Sequence, residues 1–508
     1  MIGKTSTKNN LLYNILKIVV LFIAFFLLSK FSNRSVDVHS LYMDDLQNYY
    51  YYVRSNFLQY TFSVYEGQVH YRPVSYGLLY LIFKIVSGHI YYINIVNNAI
   101  QAALAVLFYF FTRKLKVPSL ICIATSFFYI ITHFSYFQVG QAIGIIESSA
   151  MFLAFLNLYF VISYLDDNNP KGLLYMYISI FFLCFTHERY AAFFAVDFLA
   201  IILKKSEKTK LSKELILIAI AMLYVVVRYL ALKSLIPIGT SKTDVVATFD
   251  IYRFFQFIFD EVKYVFGINA GPAYLSGINF NDVDRVFKNI CYISIFFYIV
   301  IFIIYIYVKL IYDKSHEKNF SIDIVLAFSA CLLIVSSSVT IRVEMRWIYS
   351  TYMIFVIYLA YMLYEISTFG LKQVFYISAF IYFSFFISRN ILEMYYKNYY
   401  HNIFFFNDLR ATNSLADQTI LKYGKENFKD KKVYIFLNNF GIEGKSIYYF
   451  YEPFYDEVRV NDNDPVLNFV DNYEALAKLV NDDNNIVLYE NYDTHTYEVF
   501  KIQDNNLE

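Results

Sequence analysis

Apolar runs of about 20 residues recur along most of this chain, each long enough to cross a hydrocarbon core of about 30 Å. That feature rules out the set of about three soluble domains that a length of 508 residues would otherwise suggest. The charge content agrees, because 17% of the residues are charged, against about 25% in soluble proteins. Eleven spans are expected, near 11–28, 91–111, 118–137, 146–165, 172–187, 190–203, 214–232, 289–311, 321–339, 347–365 and 372–389. The fifth and sixth are short and nearly continuous, which implies a helical hairpin with a tight turn.

The stretch Pro73 to Val86 stays outside this count. It has about 14 residues, opens on Arg72-Pro73 and contains Lys84, which suits an interfacial or re-entrant helix. Leaving it out places Arg113/Lys114/Lys116, Lys204/Lys205/Lys208/Lys210/Lys213 and Lys309/Lys314/Lys318 on the side of the N-terminus. The positive-inside rule makes that side cytoplasmic. The first run follows Lys4 and Lys8 and has no small-residue cleavage site after it, so it reads as a retained signal anchor. The opposite face then receives the loop 30–90, the turn 187–189, the loop 233–288, the turn 340–346 and the C-terminal tail. The expected location is a plasma membrane, bacterial by composition, crossed many times.

A net charge of +1 conceals an asymmetry: residues 395–508 hold 11 Lys and Arg against 19 Asp and Glu. Two domains follow, a basic membrane module over 1–394 and an acidic extracytoplasmic domain over 395–508. The second has strand-like runs at Lys432–Leu437, Val458–Val460, Ile486–Glu490 and Thr496–Ile502, with a helical segment at Tyr473–Val480, which predicts a small α/β fold. The basic residues are scattered over short loops, so nucleic acid is not an expected partner. Cys122, Cys184, Cys291 and Cys331 fall inside apolar runs without metal-ligand spacing and read as small core residues.

Ionisable residues at membrane level are costly, and each needs a reason. Asp44-Asp45 follows the first span. Adjacent carboxylates can act as a base, hold a cation or bind a sugar hydroxyl, and a solvated loop or helix cap would give the same letters. His187-Glu188-Arg189 links two short apolar runs too closely to leave the interface, so it faces protein or a water-filled cavity. In Arg342-Val-Glu344-Met-Arg346-Trp347, a helix would put Arg342 and Arg346 on one face to clamp a phosphate. An interfacial Arg/Trp anchor is the alternative there. Arg72 could meet a substrate phosphate or simply a lipid headgroup. By topology all of these lie on one face, where a carboxylate pair would stand opposite several cations.

In this order and sidedness the chain, over roughly residues 10–390, resembles the GT-C superfamily of membrane glycosyltransferases. That class includes protein O-mannosyltransferases and bacterial aminoarabinose transferases. The resemblance rests on Met43-Asp44-Asp45 in the first external loop, Arg72-Pro73 opening a juxtamembrane helix, His187-Glu188 where Lys-Glu is usual, and the late turn Arg342 to Trp347. It implies a GT-C-like α-helical polytopic fold of about eleven transmembrane helices with external juxtamembrane helices. It also implies transfer of a hexose or pentose from a polyprenyl-phosphate donor to a cell-envelope glycan, lipid or protein, with inversion. Asp44 would be the general base and Asp45 would position the acceptor or a divalent cation, with no other cofactor implied. Arg72, Arg342 and Arg346 would hold the leaving phosphate, with His187, Glu188, Arg189 and Glu344 beside them. The histidine in place of lysine leaves phosphate binding at that turn to a protonated His187 or to Arg189.

Other readings are a flippase for a lipid-linked saccharide, a polysaccharide polymerase or ligase, and an inactive scaffold of the same fold. A transporter would carry its polar residues near the bilayer midplane. Here the spans offer few beyond Glu147, Asp197, Arg228 and Asp323.

Overall fold

The computed structural model describes residues 3–34, 36, 41, 44–62, 70–86, 92–167, 170–204, 210–233, 250–268, 279–311, 320–339, 343–399, 421, 432–436, 467–470, 478–491 and 496–499. Over the membrane module these form sixteen α-helices. They are α1 (Gly3–Ser32), α2 (Asp44–Val53), α3 (Phe57–Phe62), α4 (Pro73–Val86), α5 (Tyr92–Lys114), α6 (Ser119–Ile131), α7 (Tyr136–Gly140) and α8 (Ile145–Asp167). The second half holds α9 (Pro170–Cys184), α10 (Phe193–Leu203), α11 (Lys210–Leu232), α12 (Ile251–Phe266), α13 (Arg285–Ile311), α14 (Ser321–Ser338), α15 (Met345–Thr368) and α16 (Lys372–Tyr399).

Eight of the described helices are long and apolar enough to cross a membrane, or nine if α6 and the helical turns after it, bent by 54°, count as one. The protein is thus an α-helical membrane protein. The remaining two expected crossings fall on α9 and α10, with 15 and 11 residues. These are shorter than the roughly 20 residues a full span needs, so the length criterion does not reach eleven. Pro73 does open a separate 14-residue helix, as its fixed φ and missing N–H favour at a first turn.

Helix α15 is the most enclosed of the candidate spans, and α1 and α11 present most of their surface outward. Polar side chains inside the bundle tie the helices together. Ser29 bonds Asn98 and Gln101 at 2.5 and 2.6 Å, joining α1 to α5. Lys309 on α13 meets Asp323 on α14 at 2.6 Å, with Tyr305 and Tyr358 also bonding the carboxylate. Cys122, Cys184 and Cys291 are buried and Cys331 is exposed; all four are free thiols.

Helix α12 lies outside the candidate spans. It begins where Asp250 accepts the Tyr252 N–H and ends at Gly267, which has φ +93° and seats its carbonyl on the Tyr396 hydroxyl at 2.6 Å. A β-carbon at Gly267 would collide with the Arg389 guanidinium, so both the backbone angle and the close approach require glycine.

In the C-terminal part, β1 (Lys432–Phe436), β2 (Leu467–Val470), β3 (Asn485–Asn491) and β4 (Thr496–Val499) form one sheet in the order β2-β1-β3-β4. β1 runs parallel to both neighbours, and β3 and β4 are antiparallel. The apolar runs at 432, 486 and 496 are strands. Leu467–Val470 is a further one that sequence patterning passed over, and the expected strand at 458–460 lies outside the described residues.

Candidate functional site

The turn between α9 and α10 organises one end of the bundle. Helix α9 stops at Cys184, and residues 188–192 form a 3-10 turn that leads into α10. The first turn of α4 docks here: the Val74 N–H donates to the Phe185 carbonyl at 3.2 Å and the Ser75 hydroxyl to the Thr186 carbonyl at 2.8 Å. Arg72 is thereby held over Glu188 and grips it with two hydrogen bonds of 2.7 Å, while His70 Nδ1 lies 2.5 Å from the same carboxylate. Burial opposes ionisation of Glu188. Arg72, and after it His70, outweigh it and hold the acid well below the usual carboxylate range.

On the other side of the turn, His187 Nδ1 accepts the Arg189 N–H at 3.3 Å and Nε2 faces Glu147 at 3.4 Å. That arrangement suits a neutral imidazole with its proton on Nε2. Burial, and next the charge of Arg72, push the His187 pKa down to about 4. His187 is therefore not the cation at this turn. Arg189 is: its Nη2 pairs with Glu147 at 3.1 Å, and the guanidinium sits 5.1 Å from the Tyr190 ring and 5.7 Å from the Trp347 ring. Its Nε and Nη1 are buried and have no hydrogen-bond partner among the described residues.

Arg346 approaches the same tryptophan. It lies 5.7 Å from the Trp347 ring and 4.1 Å from the Phe137 ring, and is ion-paired with the fully buried Glu344. Tyr190 bonds Ser350 at 2.6 Å, which joins the turn to α15. Two guanidiniums thus flank one indole. Glu344 is extended and α15 starts at Met345, so Arg346 lies in the first turn of the helix; Arg342, the other half of the expected clamp, lies outside the described residues. Arg189, from a different helix pair, shares the Trp347 ring with Arg346.

The acidic pair is split by the first turn of α2. Asp44 is exposed and lies within electrostatic reach of Arg346 and Tyr76. Asp45 is buried, and its two carboxylate oxygens accept the N–H groups of Ala142 and Ile143 at 2.7 Å each. Burial pushes the Asp45 pKa up to about 7 even though both backbone bonds favour the anion. Its oxygens anchor the short 3-10 turn Ala142–Gly144 that precedes α8, which sets Glu147 in position. Among the described residues no group of three or more His, Cys, Asp or Glu could hold a metal ion, so the expected cation at Asp44 and Asp45 gains no third ligand there.

The structure thus brings Asp44, Asp45, Arg72, His187, Glu188, Arg189, Glu344 and Arg346 to one end of the bundle. At the other end Lys116 meets Asp166 at 3.3 Å and Lys204 donates to the Tyr164 carbonyl. Sequence reasoning assigned no site role to Glu147, whose signal was an acid in the first turn of an apolar run. It also missed His70 and Phe137, which carried none.

Two neighbouring features complete the region. Glu261 of α12 is fully buried and accepts the hydroxyls of Ser337 and Ser338 at 2.6 and 3.2 Å; burial pushes its pKa up to about 8. Beside it, an apolar cavity of about 160 Å³ opens between α12, α13, α14 and α15, walled by Val262, Phe266, Tyr298, Ala330 and Phe355, with Thr351 on its lining. Thr351 follows Ser350, the residue bonded to Tyr190.

Among known proteins, no family model matches this chain and no curated protein matches it.

Proposed function

We propose that this protein is a membrane glycosyltransferase that moves a sugar from a polyprenyl-phosphate donor to a hydroxyl-bearing acceptor of the cell envelope. The observation that carries the reading is Arg189, a buried guanidinium with two donor nitrogens that have no hydrogen-bond partner among the described residues, which shares the Trp347 ring with Arg346. Charged N–H donors of this kind match the oxygens of a phosphate, one bond from each open nitrogen. The apolar cavity one turn along α15 suits the lipid end of such a donor, and the positive-inside expectation puts the site on the non-cytoplasmic face.

In this reading Asp44 takes the proton from the acceptor hydroxyl, whose oxygen attacks the anomeric carbon. The bond from that carbon to the phosphate oxygen breaks, and the electron pair leaves with polyprenyl phosphate, held by Arg189 and Arg346. Fixed positive charge where negative charge accumulates lowers the barrier. In-line attack inverts the anomeric centre. Asp45 and the Arg72–Glu188 pair hold the frame on which these groups stand.

The test is transfer of radiolabelled sugar from undecaprenyl-phosphate hexoses by the protein in nanodiscs, with a crude envelope acceptor fraction. Donor-dependent incorporation that is lost in Asp44→Asn supports the reading; absence of turnover with every donor removes it. A second reading, a flippase for lipid-linked saccharides, draws on the buried Asp197–Asn157 contact of 3.2 Å inside the spans. Movement of the lipid between leaflets without transfer would favour it.

A further inference from the structure

The break after α6 is unusual in how fully its backbone is satisfied. Thr132 is extended, and its hydroxyl and the His133 N–H both donate to Glu393, at 2.8 and 3.1 Å. Asn97 donates to the carbonyls of Val139 and Gln141 at 3.2 and 3.0 Å, and Asp45 takes the N–H groups of Ala142 and Ile143. The turn folds back so tightly that a β-carbon on Gly144 would come within 2.6 Å of the Gln138 α-carbon, so only glycine fits. Three separate elements, α2, α5 and α16, therefore fix residues 132–144 in place.

Inside this pinned turn both polar atoms of one buried amide are open. Gln138 is 5% exposed, and neither its amide oxygen nor its amide nitrogen has a hydrogen-bond partner among the described residues. Buried amides are nearly always bonded, so an amide left wholly open in a turn this well tied points to a ligand. Its neighbour Phe137 lies under Arg346, and Tyr136 is within electrostatic reach of the same guanidinium.

We infer that Gln138 is a sugar-reading residue, which binds hydroxyl groups of the glycosyl unit next to the phosphate held at Arg346. This rests on the proposed lipid-phosphate donor. A carboxamide offers two donors on one atom and an acceptor on the other, and neighbouring hydroxyls both donate and accept, so the two match as a bidentate pair. Phosphate does not match, because it only accepts and would set its charge against the amide oxygen. The division of labour is thus cationic side chains for the phosphate and a neutral amide for the sugar.

The experiment measures binding of undecaprenyl phosphate, and of its glucosyl, galactosyl and mannosyl conjugates, to the full-length protein in nanodiscs. Wild type is expected to bind at least one conjugate about tenfold tighter than the bare carrier, the size of one well-made hydrogen-bonded contact. Gln138→Leu is expected to lose that excess and keep its affinity for undecaprenyl phosphate. Gln138→Glu, which keeps the shape but not the donor pair, gives the reading if the leucine variant does not fold, and is expected to lose the same preference in part. A folded variant that discriminates between conjugate and carrier as wild type does overturns the inference, and leaves the amide satisfied by water. Equal wild-type binding of all four lipids overturns it while leaving the phosphate reading standing. No binding of any of them overturns both.

Discussion

Arg72 and Glu188, 116 positions apart, meet through two parallel hydrogen bonds of 2.7 Å at a depth where each side chain is less than one-fifth exposed. The pair joins α4 to the turn after α9. A buried ion pair is weak evidence of net stabilisation, but removing one partner leaves the other charge stranded. Arg72→Ala should therefore cost about 3–5 kcal/mol. Thermal unfolding in nanodiscs reads the loss, and Arg72→Met combined with Glu188→Leu should recover much of it. A single variant that melts with wild type would show that the pair holds nothing together.

The two aspartates should separate cleanly. Asp45→Asn replaces one carboxylate oxygen with an NH2 group that faces a backbone N–H of Ala142 or Ile143, stranding it at about 1–3 kcal/mol. Asp44→Asn should leave the melting temperature unchanged and reduce turnover by about 10²- to 10⁴-fold, the usual share of a general base. Equal melting temperatures for both variants would contradict the anchoring role of Asp45.

Arginine geometry, and not charge alone, should matter at Trp347. Arg346→Lys keeps a positive partner for the buried Glu344 but loses the planar fork, so the donor KM is expected to rise about tenfold with little change in melting temperature. An unchanged KM would take Arg346 out of phosphate binding.

Acid should destabilise this end of the bundle through His187. Its pKa is about 4 in the folded protein, below the roughly 6.5 of an exposed histidine, so the neutral form favours folding. The stability it contributes is complete above about pH 6.5 and is lost as pH falls toward 4, on the order of 3 kcal/mol at most. Glu188 continues the loss below the ordinary carboxylate pKa, because its folded pKa is depressed. Asp45, raised to about 7, works in the opposite direction over the same range. The clean comparison is wild type against His187→Gln: melting temperature should fall more steeply with acid in wild type. Parallel curves would assign the titration elsewhere.

Much of the membrane module was legible in the sequence because crossing a bilayer imposes length and apolarity one segment at a time. The runs near 91–111, 214–232, 289–311, 321–339, 347–365 and 372–389 each correspond to a long helix, and Pro73 marked a helix too short to span. What local pattern could not decide was where a run bends. The run 118–137 breaks at Thr132, because Glu393, more than 250 positions away, takes up the Thr132 hydroxyl and the His133 N–H. The hairpin helices come out shorter than the runs that announced them, since Glu188 and Arg189 are drawn into ion pairs with Arg72 and Glu147.

The sequence by itself determined an α-helical membrane protein and a set of ionisable residues that the membrane would not tolerate without partners. Only the tertiary structure decided which partner each one has. Asp44 and Asp45 are adjacent letters, yet a helix start turns one to solvent and the other into two backbone N–H groups. Arg346 shares Trp347 with Arg189, which arrives from a turn more than 150 positions earlier. The reason is physical: the cost of burying a charge is a property of the residue and can be read from the chain, whereas the group that offsets it comes from whichever distant helix packs alongside.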